Sequence, residues 1–179
     1  MLERKARHLD SEGLWAYALR ILGAKAYSTA EMRDKLNRRA ERAEDVEGIL
    51  ARLKESQYLD DRRFAETYAA SRLANERFGK TRVLHDLRHR RVTGSVAEKT
   101  VTSVYQDVDE SALIEDYIRR KYRTADRETL FQEEKDLASA YRRLVRAGFR
   151  TGEIVRVLKK FARNPDLLDN FEPPEETPE

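Results

Sequence analysis

The sequence predicts an all-α protein, an elongated and curved array of three tandem three-helix repeats. Three observations carry this expectation. All four prolines, Pro165, Pro173, Pro174 and Pro178, fall at the far end of the 179-residue chain, so the helix-breaking residue is absent from the long stretch before them. Leu, Ala, Glu and Arg dominate that stretch, all good helix formers, and no run of period two interrupts it. Helix-start and helix-stop residues recur so as to mark three groups of about 50 residues, each reading long helix, short helix, short helix.

The first group spans 12–24, 28–39 and 43–57. Ser28-Thr29-Ala30-Glu31 is a capping box, in which the Ser28 hydroxyl accepts from an early helix N–H and Glu31 reaches back to the Ser28 N–H. The second spans 61–76, 80–91 and 95–106, opened by Asp60 as N-cap, with a second capping box at Ser95-Val96-Ala97-Glu98. The third spans 110–123, 130–147 and 152–163, with N-caps at Asp109 and Thr151 and a further box over Thr129–Gln132. Gly23, Gly79, Gly94, Gly148 and Gly152 fall where turns or C-caps belong. Val46, Leu50 and Leu53 match Ile154, Leu158 and Phe161 in spacing, one apolar stripe on each third helix. Val96, Val101 and Val104 form the poorer stripe of the middle group. Domain limits follow at 1–59, 60–108 and 109–163. The segment 164–179 is expected to be a disordered, acidic, Pro-rich tail.

Composition narrows the function. With 40% hydrophobic and 39% charged residues the chain is soluble yet apolar enough to fold. No cysteine means no disulfide, thiolate metal site or thiol nucleophile. No apolar run is long enough to span a membrane, and Met1-Leu2-Glu3-Arg4-Lys5 does not read as a secretion signal. A cytoplasmic, monomeric protein is expected. The formal net charge is +3, with 36 basic and 33 acidic side chains. The tail alone holds six acids and no base, so the body is strongly basic. Such a body favours polyanionic partners.

At Tyr58-Leu59-Asp60-Asp61-Arg62-Arg63-Phe64-Ala65-Glu66-Thr67-Tyr68, followed by Gly79-Lys80-Thr81-Arg82-Val83-Leu84-His85-Asp86-Leu87, the chain resembles the central repeat of RecX regulatory proteins. Upstream, Ala18–Leu22, Ser28–Leu36 and Val46–Leu53 resemble that family's first repeat. The chain departs from the family at two turns. Arg77-Phe78 stands where a second glycine often precedes Gly79, and Arg91-Val92 where a glycine often follows the middle helix. The resemblance implies a non-enzymatic regulator that docks on RecA filaments on single-stranded DNA. It implies inhibition of the RecA ATPase, strand exchange and filament extension.

Two sets of residues are singled out. Lys80, Arg82, Arg88, Arg90 and Arg91 crowd the middle helix of the second repeat. Arg142, Arg143, Arg146 and Arg150 crowd the matching helix of the third, followed by Arg156, Lys159 and Lys160. Together they are expected to form one positive stripe for DNA and the filament, contacting backbone phosphates rather than bases. Leu36, Leu53, Leu59, Phe64, Tyr68 and Leu87 are expected to pack between repeats. Asp60 and Asp61 read as helix-start residues rather than a metal pair. His85 and His89 share a helix face, but the arginines around them repel a cation, so no metal or cofactor is expected. Gly79-Lys80-Thr81 offers helix N-terminal N–H groups to a phosphate. No nucleophile, P-loop or metalloprotease motif is present. A sequence-specific helix-turn-helix protein is the alternative, and it predicts a preferred duplex site.

Overall fold

The structure is a computed structural model, which describes residues 8–122, 130–131 and 133–162. Among them are nine α-helices and no strand. The expected tail at 164–179 and the Thr129–Gln132 capping box lie outside the described residues, Leu130 and Phe131 apart.

The first bundle consists of α1 (Ser11–Ala24), α2 (Thr29–Asn37) and α3 (Ala43–Glu55). Asp10 caps α1 by accepting from the Gly13 N–H. Both halves of the Ser28–Glu31 capping box are present at α2. The apolar stripes meet in a core of Leu14, Ala18, Met32, Leu36, Val46, Ile49, Leu50, Leu53 and Leu59. Each large side chain so buried contributes about 1.5–3 kcal/mol before entropy is charged.

The second group is α4 (Asp61–Ser71), α5 (Lys80–His89) and α6 (Gly94–Val104). Asp60 caps α4, its Oδ1 accepting from the Arg62 and Arg63 N–H groups. Asp61 instead reaches across to accept from the Thr29 N–H at 2.7 Å, so one acid pair caps two helices. The helix expected over 61–76 is α only to Ser71; Arg72–Glu76 is a π turn that ends at Arg77. Arg77 is left-handed, with φ 57°, and so is Arg91, with φ 56°. These are the two places where the chain departs from the family's glycines, and the backbone keeps a conformation that glycine adopts more freely. Arginine also brings its own cap: Arg77 Nη1 donates to the carbonyls of Leu73 and Ala74. Arg120 donates to the Asn75 carbonyl. The helix expected from Ser95 begins at Gly94, because the Thr93 carbonyl already accepts from the Ala97 N–H. Its buried stripe is accordingly Ala97, Thr100 and Val101, with Val96 and Val104 only half-buried.

The third group is α7 (Glu110–Lys121), α8 (Glu134–Arg146) and α9 (Thr151–Phe161). Asp109 caps α7. Thr151 is the first helical residue of α9 rather than its cap, which Arg150 occupies without a side-chain capping hydrogen bond. Leu113, Ile114, Tyr117, Ile118, Phe131, Leu137, Leu144, Ile154, Val157 and Leu158 form the core.

The chain divides into two compact units that cut through the second group. One holds the chain up to Tyr68 with Asp86–Thr100; the other holds Ala69–His85 and the chain from Val101 onward. Within the latter, two glycines permit a close backbone crossing. A Cβ on Gly79 would lie 2.2 Å from the Gly148 carbonyl oxygen, and one on Gly148, where φ is +88°, would lie 2.2 Å from the Arg82 nitrogen.

No helix among the described residues is long and apolar enough to cross a membrane.

Candidate nucleic-acid and filament interface

Arg88, Arg90 and Arg91 belong to the first unit, whereas Lys80, Arg82 and the third-group cations belong to the second. The cations differ in what they already hold. Arg90 is the most committed. Its guanidinium bonds Glu31 at 3.0 Å, with both side chains about a quarter exposed. It also lies 5.7 Å from the Phe64 ring centroid and 4.8 Å from that of Tyr68. The Arg90 carbonyl accepts from the Ser28 hydroxyl at 2.6 Å. Arg91 pairs with Asp34 and Arg88 with Glu98. These contacts tie the C-terminal end of α5 to α2 and α6.

At the other end of α5, Lys80 Nζ donates to Thr102 Oγ1 at 3.1 Å, and the Arg82 guanidinium lies 5.7 Å from the Phe78 ring. The phosphate cradle expected at Gly79-Lys80-Thr81 is not available. The Gly79 N–H donates to the Ala147 carbonyl at 2.8 Å, and the Thr81 N–H to the Gly148 carbonyl at 3.3 Å. His85 and His89 are exposed, and no cluster of three metal-binding side chains occurs among the described residues.

On α9 and the turn before it, the cations meet acids of α7 or of α9 itself. Arg150 Nε bonds Glu110, Lys160 bonds Glu115 at 2.8 Å, and Arg156 bonds both Glu153 and the Ser111 hydroxyl. The Ser111 hydroxyl also donates to Glu153. That hydrogen bond, assisted by Arg156 and Arg150 against a burial penalty, holds the Glu153 carboxyl below its usual range. Lys159 is half-buried.

Arg142, Arg143 and Arg146 on α8 remain. All three are exposed, spaced along one side of the helix, and none forms an ion pair among the described residues. Arg143 lies 5.7 Å from the Tyr122 ring. Tyr117, beside them in the core, has its phenol pushed up by burial, an effect the neighbouring Arg143 opposes.

The apolar set is placed as follows. Leu36, Leu53 and Leu59 lie inside the first bundle's core. Phe64 and Leu87 are buried. Tyr68 is half-buried, stacked on Phe64 at 6.2 Å, and its hydroxyl bonds Asp86 at 3.2 Å. A third group of cations outside the two expected sets, Lys25, Lys35 and Arg38, lines one depression with Tyr27. Lys25-Ala26-Tyr27 was the signal that marked it.

Consecutive three-helix groups bearing exposed basic faces define an all-α helical-repeat protein. Comparison with known proteins sharpens that class. The first three-helix domain of RecX matches residues 15–53, and the second three-helix domain matches residues 60–101. The regulatory protein RecX of Escherichia coli strain SE11 is 33% identical over 132 residues, covering 68% of this chain and 78% of the relative. That of Deinococcus radiodurans is 35% identical over 147 residues, covering 81% and 66%. The crystal structure of RecX from Lactobacillus salivarius superimposes with a TM-score of 0.64 at 15% identity, over 84% of this chain and 96% of that one, and shares its fold. The chain belongs to the RecX family and is a RecX-type regulatory protein.

Proposed function

We propose that this protein is a negative regulator of RecA recombinase, which binds the RecA–single-stranded DNA filament and inhibits its ATPase, strand exchange and extension. In this reading it acts as a monomer in the cytoplasm, without catalysis of its own. It is organised as repeats over 1–59, 60–108 and 109–163. The observation that carries the reading, in a member of this family, is the exposed arginine row on α8. Arg142, Arg143 and Arg146 are cations the fold does not consume, whereas Arg88, Arg90, Arg91, Arg150, Arg156 and Lys160 hold acids of the same chain. Guanidinium groups suit the phosphates and carboxylates of a nucleoprotein filament, which they grip in a bidentate fork.

The test is a titration into RecA, ATP and single-stranded DNA with ATP hydrolysis as the readout. Inhibition well below one protein per RecA is expected. Replacing all three arginines by Glu raises the amount required by at least about tenfold. It also lowers the salt dependence of DNA-linked binding by about two units, at roughly 0.7 per phosphate contact. Absence of inhibition at excess protein and low salt overturns the reading.

A further inference from the structure

We propose that the first bundle carries a second, separate site for single-stranded nucleic acid, in which bases stack on Tyr17 and Tyr27 while Lys25, Lys35 and Arg38 hold phosphates. Both rings pack one side against the bundle core and remain half-buried. Their positions are therefore fixed, while part of each ring faces out.

Each ring carries two cations. Arg20 and Arg39 lie 5.4 and 5.5 Å from the Tyr17 centroid. Lys25 and Lys35 lie 5.4 and 4.9 Å from that of Tyr27. Lys35, in the last turn of α2, and Arg39, just past its C-cap Arg38, are four residues apart, so a short stretch of chain links the cations on the two rings.

The charge balance then selects the ligand. Tyr27, Lys25, Lys35 and Arg38 line a surface depression of about 270 Å³ together with Glu31 and Asp34. Those two acids are already paired from the turn after α5, Glu31 with Arg90 and Asp34 with Arg91. Lys25, Lys35 and Arg38 enter no ion pair among the described residues. The depression therefore has surplus positive charge around an aromatic ring. An acidic peptide would satisfy the cations and leave the rings bare. A nucleotide strand offers phosphates and planar bases in alternation, and each cation that swings to a phosphate yields its ring face to a base. Duplex DNA hides its base faces, so it gains only the phosphate contacts. The contrast with α8 is chemical: there the arginines stand on an exposed helix face with one partly covered ring nearby.

The experiment needs no RecA, so its outcome is independent of the filament reading. Fluorescence anisotropy of the full chain is measured with three labelled probes: oligothymidylate of about 20 nucleotides, an abasic strand of equal length, and a duplex of equal length. The wild type is expected to prefer oligothymidylate over the abasic strand by about tenfold. Tyr17→Leu with Tyr27→Leu, which keeps apolar contact with the core, removes that preference and leaves abasic and duplex binding unchanged. Lys25→Glu with Lys35→Glu weakens all three probes. Thermal melting by circular dichroism verifies that each variant is folded. Equal wild-type affinity for oligothymidylate and the abasic strand overturns the proposal and leaves a generic polyanion surface. So does a folded Tyr variant that retains the preference.

Discussion

Replacing Arg90 by Met separates architecture from binding at the residue where the basic cluster of the second group is most deeply committed. Methionine keeps most of the apolar stem but loses the charge. What is lost can be estimated from the contacts. The Arg90–Glu31 pair, at 3.0 Å and about a quarter exposed on both sides, is worth about 1 kcal/mol. The guanidinium over Phe64 and Tyr68 adds about 1 kcal/mol. The Ser28 bond to the Arg90 carbonyl survives, because it uses the backbone. Arg90→Met should therefore destabilise the protein by about 2 kcal/mol. Glu31→Gln provides the second arm of a cycle. Glutamine still accepts from the Ser28 N–H, so the capping box remains and only the charge goes. Urea unfolding followed by far-ultraviolet circular dichroism gives the four stabilities. The double variant should be less destabilised than the sum of the singles by about 1 kcal/mol, the coupling across the pair. Additive single effects would refute the clamp. So would Arg90→Met that leaves stability unchanged while abolishing RecA inhibition, since Arg90 would then be a binding residue and not a structural one.

The next predictions concern the second unit. Gly148→Ala forces an L side chain into φ +88° against the Arg82 backbone, and it threatens the Gly79–Ala147 and Thr81–Gly148 hydrogen bonds. Strain of about 1–2 kcal/mol and about 1 kcal/mol per hydrogen bond predict a loss of about 3–4 kcal/mol in urea unfolding. Gly152→Ala, with open space around its Cβ on α9, should be neutral or slightly stabilising, and an equal loss there would refute the crossing. The depressed Glu153 carboxyl adds stability that is fully present above the ordinary Glu range, near 4.3. That stability is lost as pH falls through the lower folded value. The melting temperature of the wild type should therefore drop more between pH 5 and 3 than that of Glu153→Gln; parallel curves would remove the Ser111–Glu153–Arg156 link from the account.

What could be read from the sequence was what is local. Ser28, Asp60 and Asp109 cap the helices expected of them, because a cap needs only a side-chain oxygen and N–H groups two or three residues away. The stripes Val46–Leu50–Leu53 and Ile154–Leu158 were legible for the same reason. Ser95 misled because Thr93, two residues earlier, is an equally good start and wins once Ala97, Thr100 and Val101 are buried. The π turn at Arg72–Glu76 left no local mark, since its end is held by Arg77 in a left-handed conformation and by Arg120 from a distant helix. The crossing of Gly79 and Gly148 joins residues too far apart in sequence for either glycine to announce it.

The basic clusters show the same limit in its functional form. A count of arginines along a helix treats every cation as available, but availability is decided by acids that folding brings from elsewhere. Glu31 meets Arg90, Asp34 meets Arg91, Glu110 meets Arg150 and Glu115 meets Lys160, each pair separated by dozens of residues. Each match leaves two consequences. The paired arginine contributes little net field to an incoming polyanion, and the acid no longer screens the cations on its own helix. In the proposed strand site, the second consequence leaves Lys25, Lys35 and Arg38 in surplus although α2 carries Glu31 and Asp34 among them. In that proposal Arg90 and Arg91 serve this surface by pairing with its two acids. Glu31→Gln frees the Arg90 guanidinium and should therefore raise strand affinity modestly, whereas Lys35→Glu, which reverses a cation that nothing in the described chain offsets, should lower it by more. Lys35→Glu that leaves strand affinity unchanged would remove this surface from strand binding.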